Sequence, residues 1–206
     1  MNNQVDFKIF TRKKGLIFTV NRVVYPLLLG SLGIAYLADK YLNQNVLESI
    51  GTTGGIIGCI LMIYFNIAKL STRKPLNGDL SKRLIFCPSE IIIDSQKIDL
   101  KEIKKIEFSV TDYFDRFEYS IRGDLNPCRS NGTSNLCELK LVNGENIRVN
   151  FQLMYEGEFL KMRELLLEYY FENKIHFLRL IEYLEIQEYQ EIQEFKKTLT
   201  PSKLSI

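Results

Sequence analysis

The stretch that decides the fold is IGTTGGIIGCILMIYFNIAKL, residues 50–70. It carries no formal charge before Lys69. An α-helix needs about 20 mostly apolar residues to cross a bilayer, and this stretch has that length. The sequence therefore predicts a transmembrane helix here.

A second apolar stretch, VVYPLLLGSLGIAYL, occupies residues 23–37. It reaches spanning length if the helix begins near Leu16 or continues to Leu42, because Arg22 can extend toward the headgroups. A pair of buried soluble helices is the first alternative, but no polar face repeats at the helical period. A cleavable signal peptide is the second, and it lacks a small-residue cleavage site. We predict a two-helix transmembrane hairpin over residues 16–71.

Flanking charge predicts the orientation of this hairpin. Cations cluster before the stretch 23–37 and after the stretch 50–70, whereas the connection 39–49 has only Lys40. The clusters are Lys8, Arg12, Lys13 and Lys14, then Lys69, Arg73, Lys74, Lys82 and Arg83. Since cation-rich flanks stay in the cytoplasm, we expect a multi-pass protein of the inner (cytoplasmic) membrane with both termini cytoplasmic.

The apolar stretch 50–70 contains a strip of small residues that is a candidate helix-packing surface. Its members are Gly51, Gly54, Gly55 and Gly58. Small residues four apart allow another helix to approach closely. That helix belongs either to a second subunit or to the same hairpin, where Gly30, Ser31, Gly33 and Ala35 offer a matching surface. The second interpretation is favoured.

Beyond residue 82 the pattern changes to short β-like runs bounded by turn formers. The clearest signal is a hairpin, in which residues 136–142 and 146–151 alternate apolar and polar side chains across Asn143-Gly144. From Glu158 the apolar period becomes helical, and Asn173 is the one plausible break before an amphipathic tail.

Residues 84–170 resemble the bacterial membrane-associated pleckstrin-homology-like (PH-like) domains. The segments that carry the resemblance are LIFCPSEIIID, IDLKEIKKIEFS and LKLVNGENIRVNF, followed by a helix. In those proteins, one or two transmembrane helices precede a curved antiparallel sheet that a C-terminal helix caps. The resemblance implies an α+β membrane protein with a small antiparallel PH-like sheet or barrel. The expected organisation is a cytoplasmic N-terminal segment (1–15), the transmembrane hairpin (16–71), a linker (72–82), the PH-like domain (83–172), an amphipathic helical tail (173–197) and a flexible C-terminus (198–206).

Catalytic and metal-binding motifs are missing from the sequence. It has no nucleophile elbow, phosphate-binding loop or dinucleotide fingerprint. With His176 as the only histidine and four scattered cysteines, metal and cofactor sites are not expected. Carboxylate pairs such as Asp94 with Asp99 fit turn or cap roles better than acid–base catalysis. We predict no catalytic, cofactor-binding or metal-binding residues, and no enzyme.

The best candidate for a binding element is the polar loop 122–135, because long loops in compact β domains are often functional. The alternative, a solvated loop without a binding role, is the favoured interpretation. Arg116, Arg122 and Arg129 are suited to an acidic headgroup or a partner carboxylate. The expected partners are the bilayer, anionic lipid headgroups, and a protein or second copy bound through the tail. With a net charge of +2, no nucleic acid is expected.

Three functions remain open from the sequence. The first is a membrane-anchored, non-enzymatic interaction or scaffold protein with a cytoplasmic PH-like domain. The second is an oligomeric transport or pore-forming subunit, since two helices line a pore only as an oligomer. The third is a membrane-bound enzyme of unrecognised type.

Overall fold

The computed structural model describes residues 4–15, 19–42, 45–119 and 121–199. They form an α+β protein with two apolar N-terminal helices and an antiparallel sheet. The strands are β1 (Val5–Arg12), β2 (Gly78–Asp79), β3 (Arg83–Phe86), β4 (Glu90–Ile93), β5 (Gln96–Asp99), β6 (Ile103–Ser109), β7 (Phe114–Phe117), β8 (Arg129–Asn131), β9 (Asn135–Leu141) and β10 (Asn146–Gln152). The helices are α1 (Val20–Leu37), α2 (Asn45–Ala68), α3 (Arg163–Phe171), α4 (Phe177–Tyr183) and α5 (Tyr189–Leu199).

The chain divides into two compact units. The sheet unit comprises residues 4–12, 78–114 and 132–199, and the hairpin unit comprises residues 13–77 and 115–131. The predicted upstream extension of the first helix through residues 16–18 lies outside the described residues, as does the C-terminus from residue 200.

The main sheet has the strand order β5-β4-β3-β1-β10-β9-β6, with every neighbouring pair antiparallel. The first strand in the chain is thus central, between β3 and β10. Strand β2 pairs with the end of β1, where Arg12 and Gly78 are Cα partners. The chain therefore leaves the sheet unit and returns to it at adjacent positions.

Strand β1 lies in the segment for which the sequence predicted only a cytoplasmic N-terminus. Its side chains alternate, so that Phe7 and Ile9 are buried while Lys8 is exposed. The Phe7 ring contacts those of Phe151 and Phe159, with centroids 5.3 and 6.2 Å apart. Burial of these apolar side chains is what holds the segment in the sheet.

The predicted β-hairpin is present as β9 and β10. Register pairs Lys140 with Asn146 and Cys137 with Val149. Gly144 has φ +91° in the turn, a conformation that glycine adopts without steric cost. The local turn signal and the alternating pattern together fix this register.

Helix α3 covers one face of the sheet, following a 3₁₀ segment, Glu158–Met162. Its Leu165, Leu166 and Tyr169 side chains are fully buried in the common core. The Tyr169 hydroxyl donates a hydrogen bond of 2.8 Å to the Cys87 carbonyl. The buried polar end of this tyrosine is thereby satisfied.

The helical tail is two helices, not one. The chain turns at Asn173 and Glu185, both with φ +57°. Between these turns, the Lys174 carbonyl accepts the Ile106 N–H and the Tyr183 hydroxyl accepts the Phe108 N–H, each at 2.9 Å. These groups cover the outer edge of β6, and edge strands commonly need such cover.

Helix α5 folds back onto its own unit. Phe195 and Leu199 are partly buried and pack against the hydrophobic core of the sheet. Tyr189, on the same helix, is largely exposed. The tail is therefore an intramolecular cover of the sheet unit.

Candidate functional site

Within the hairpin unit, the glycine strip of α2 faces α1. A Cβ added at Gly51 would lie 2.5 Å from the Ala35 nitrogen, and one at Gly54 would lie 2.5 Å from Ser31 Oγ. A Cβ added at Gly55 or Gly58 would lie 3.4 or 3.0 Å from a leucine side chain of α1. The strip is thus the surface on which the two helices pack.

The matching surface on α1 differs from the prediction. Ser31 and Ala35 lie opposite the strip, as expected. A Cβ at Gly30 or Gly33 would meet no heavy atom within 4 Å. Leu32 and Leu28 of α1 lie opposite Gly55 and Gly58 instead. The reason is geometric, because residues one or two apart on a helix point in different directions.

Both helices expose apolar side chains along their outer surfaces. The apolar segments Val20–Tyr41 and Asn45–Ala68 are long and apolar enough to cross a membrane. Only 11% and 17% of their most apolar windows are buried. A core helix of a soluble protein would be buried to a much larger extent.

The segment 115–131 belongs to the hairpin unit although it interrupts the sheet unit in sequence. In the sheet unit, Leu153 forms backbone hydrogen bonds with the two residues that flank this segment, Phe114 and Gly132. Its carbonyl accepts the Phe114 N–H at 2.9 Å, and its N–H donates to the Gly132 carbonyl at 3.0 Å. Gly132 has φ +70°, and a Cβ there would lie 2.2 Å from the Leu153 oxygen. Glycine is needed at this crossing.

The first turns of α1 hold the middle of this segment. The Asn21 side chain donates to Asp124 Oδ1 and accepts the Leu125 N–H, each at 2.9 Å. The Tyr25 hydroxyl donates to the Gly123 carbonyl. Hydrogen bonds from the Asn126 N–H and from the Asn21 amide lower the pKa of Asp124. Asp124 is therefore charged and fixed at physiological pH.

Lys69, the residue that follows α2, also binds segment 115–131. Lys69 Nζ donates to the Asp124 carbonyl at 2.7 Å, and the Lys69 carbonyl accepts the Cys128 N–H at 2.9 Å. Farther along, the Lys74 N–H donates to the Arg129 carbonyl. Segment 115–131 is thus fastened to one end of the helical hairpin by backbone and side-chain bonds.

Ion pairs complete this attachment. Asp115 accepts from Arg73 Nε at 2.9 Å and from Arg129 Nη1 at 2.8 Å. The Arg73 hydrogen bond, aided by the charge of Arg129, lowers the pKa of Asp115. Arg129 also donates to the Leu70 carbonyl at 3.2 Å. Of the three predicted binding arginines, Arg129 thus has its guanidinium engaged inside the unit.

The other two predicted arginines, Arg116 and Arg122, are exposed. They lie on either side of the exposed aromatic residues Phe117 and Tyr119. Neither arginine forms an ion pair with any residue that the structure describes. The sequence missed Asn21 and Asp124, the residues that position this segment; the Asp-x-Asn turn at 124–126 was the available signal.

The carboxylates and the buried thiol considered as candidate reactive groups have structural roles. Asp99 caps a short 3₁₀ segment by accepting the Lys101 N–H at 2.8 Å, and Asp94 lies in a turn with φ +59°. Burial raises the pKa of the Cys137 thiol far above its usual value, which makes the thiolate unavailable. Among the described residues, no three His, Cys, Asp or Glu side chains form a group suited to a metal ion.

Comparison with protein-family models, with curated proteins and with solved structures gives no significant match to this chain.

Proposed function

We propose that this chain is a membrane-anchored, non-enzymatic interaction protein whose α1–α2 hairpin crosses the inner membrane twice and holds the sheet unit in the cytoplasm. One observation carries the proposal. The hairpin is an insertion in the sheet unit, entered after Arg12 and left before Gly78, which are Cα partners. A segment that leaves and returns to one folded unit crosses a bilayer an even number of times.

The distribution of charge supports a cytoplasmic location of the sheet unit. Cations precede α1 and follow α2, whereas the connection between the two helices carries only Lys40. Because cation-rich flanks stay in the cytoplasm, the start of α1 and the end of α2 are both expected on that side. The free cysteines of the sheet unit, Cys87 and Cys137, fit a reducing compartment.

The sheet unit is proposed to be PH-like. Two antiparallel meanders, β3-β4-β5 and β6-β9-β10, are joined through β1, and α3 covers the core. A curved antiparallel sheet with a C-terminal helical cap is what the resemblance implies. One feature departs from it, since the first strand of the sheet precedes the membrane helices instead of following them.

An interaction role is favoured over catalysis and transport by how the residues are used. The glycine strip, which motivated a pore-forming assembly, is occupied by α1 of the same hairpin. In the sheet unit, Glu107 is paired with Lys105 and Lys140, each at 2.7 Å. Charged groups held in such exposed ladders serve structure and surface recognition more readily than acid–base chemistry.

Extraction of membranes tests the anchor. The full chain should stay in the membrane fraction in alkaline carbonate, which releases peripheral proteins. A variant in which residues 13–77 are replaced by Asn-Gly should appear in the soluble fraction, because Arg12 and Gly78 are near enough for a short turn. Release of the full chain, or retention of the excised one, would contradict the anchor.

The interaction role needs its own test. Cross-linking in native membranes, followed by light scattering of the detergent-solubilised particle, should give a mass above that of one 24.1 kDa chain. A strictly monomeric particle with no cross-linked companion would refute this role and leave the anchor intact.

A further inference from the structure

The hairpin unit exposes apolar side chains in segment 115–131. The exposed fractions are 95% for Tyr119, 84% for Ile121 and 41% for Phe117. The rings of Phe117 and Tyr119 lie edge to face with centroids 5.6 Å apart. Two large side chains that are almost fully exposed and so close in sequence form an apolar patch, and such patches commonly mark interaction sites.

The level of this segment along the hairpin is fixed by its attachments. Gly123 and Asp124 bond to Tyr25 and Asn21 in the first turns of α1, and Asp124 bonds to Lys69 at the end of α2. Tyr25 lies four residues beyond Asn21, about 6 Å along the helix axis. Helical side chains point back toward the N-terminus, and the longer Tyr25 side chain extends farther back than that of Asn21. Both hydrogen bonds therefore lie close to the level where the apolar stretch 23–37 begins.

We propose that Phe117, Tyr119 and Ile121 insert into the interfacial layer of the bilayer, with Arg116 and Arg122 against the phosphates of anionic lipids. The segment is then a third membrane contact beside the two helices. This inference rests on the proposed function, because it requires α1 and α2 to cross the bilayer.

Physical chemistry favours these residue types at this level. Tyrosine is enriched where headgroups meet hydrocarbon, because one end of the ring is apolar and its hydroxyl is polar. Arginine binds phosphate with two parallel hydrogen bonds. An exposed aromatic pair between two exposed arginines supplies both kinds of contact.

The bilayer is a better occupant than a second copy of the chain. The segment is fastened to the first turns of α1 at Gly123 and Leu125. Next to the aromatic pair, the Glu118 N–H donates to the Cys128 carbonyl, and the Cys128 N–H donates to the Lys69 carbonyl just after α2. A symmetric contact between two copies would bring Arg116 and Arg122 of each close to those of the other. Like charges opposed at an interface weaken binding, whereas an anionic leaflet attracts both arginines.

Depth-dependent fluorescence quenching tests this contact, and the chain suits it because it has no tryptophan. Tyr119→Trp makes one reporter. Ile56→Trp makes a second at the middle of α2, where the native side chain is 62% exposed. Each full-length variant is reconstituted into phosphatidylcholine–phosphatidylglycerol vesicles whose acyl chains carry bromine either near the headgroup or near the chain end.

The expected results differ between the reporters. Tryptophan at 119 should be quenched most by bromine near the headgroup, and tryptophan at 56 by bromine near the chain end. Replacing Arg116 and Arg122 with glutamine should reduce quenching at 119 in anionic vesicles and leave quenching at 56 unchanged.

Three outcomes would overturn the inference. Quenching at 119 by aqueous iodide alone means that the segment stays in water. Protection at 119 from both iodide and brominated lipid means that protein covers it. In both of these cases, quenching at 56 by deep bromine leaves the proposed anchor standing. Absence of lipid quenching at both positions refutes the anchor as well.

Discussion

The packing of α1 on α2 through glycine predicts a specific response to the smallest possible substitution, Gly51→Ala. The added Cβ would lie 2.5 Å from the Ala35 nitrogen and 2.8 Å from its Cα, whereas ordinary contacts begin at 3.4 Å. The difference, 3.4 − 2.5 = 0.9 Å, must come from backbone movement of α1, because no flexible side chain can yield there. The two helices would separate along this part of the hairpin.

The expected magnitude follows from two opposing terms. Overpacking of a tight interface costs about 1–3 kcal/mol, and replacing a helical glycine by alanine returns about 0.5–1 kcal/mol. Gly51→Ala should therefore lower the free energy of unfolding by about 1 kcal/mol, within a range of about 0–2.5 kcal/mol. Gly30→Ala is the matched control, because its Cβ meets no atom within 4 Å. It should be neutral or stabilising by up to about 1 kcal/mol.

The free energy of unfolding of both variants and the native chain can be measured in bicelles by steric trapping. This method reports separation of the helices under conditions where the membrane remains intact. Equal effects of Gly51→Ala and Gly30→Ala, or stabilisation by Gly51→Ala, would refute packing through the strip.

Three predictions concern the sheet unit and are read from chemical denaturation of the full chain in mild detergent. Asn135 is fully buried, and Asn135→Ala should destabilise by about 2–3 kcal/mol, since it orphans the backbone N–H groups that its side chain accepts. Hydrogen bonds from Lys105 and Lys140 lower the pKa of Glu107 from 4.5 to about 2. The stabilisation by ionised Glu107 is therefore complete above pH 4.5 and lost as pH falls toward 2. Glu107→Gln should abolish this pH dependence of stability, which solvent screening limits to about 1 kcal/mol. Phe195→Ala should destabilise by about 1–2 kcal/mol through lost packing, whereas the exposed Tyr189→Ala should change stability little; equal effects would place α5 off the sheet.

Elements with local signals were predictable from the sequence. The hairpin of β9 and β10 has a turn glycine at Gly144, and its alternating pattern assigns the buried face. The two apolar helices are equally local, because length and composition define them. In such cases, the residues that decide the structure are neighbours in the chain.

Strand β1 was missed for the opposite reason. Its partners, β3 and β10, lie roughly 70 to 140 residues away in sequence, so its strand character depends on distant burial of Phe7 and Ile9. Its cations Lys8 and Arg12 also match a membrane flank, which explains them without a strand. Whether such a segment forms a strand is decided by packing against distant strands and not by its own sequence.

The tail shows how tertiary packing divides a helix. Neither glycine nor proline interrupts residues 173–197, and Asn173 was the one predicted break. The second break, at Glu185, has no sequence signal and a positive φ. Burial of Leu180 and Tyr183 in the core draws α4 against the sheet, and this packing outweighs the local cost of the turn.

Part of the candidate site has a local signal. The spacing of the glycines in α2 is visible in the sequence, and in the structure these glycines face α1. Arg129 was grouped with Arg116 and Arg122 by composition, although only Arg129 is engaged by Asp115. The sequence does not indicate that residues 115–131 join the hairpin unit, because that attachment depends on pairings about 50 to 100 residues apart.

The measurement that tests the central claim most directly is the sidedness of two engineered cysteines in a chain whose native cysteines are replaced by alanine. Asn45→Cys lies at the start of α2, and Glu145→Cys lies in the exposed turn between β9 and β10. In spheroplasts of a bacterial host, a membrane-impermeant maleimide should label position 45 at once and position 145 only after the membrane is permeabilised. Labelling of both positions before permeabilisation, or of position 145 alone, would contradict a hairpin that spans the membrane with the sheet unit inside.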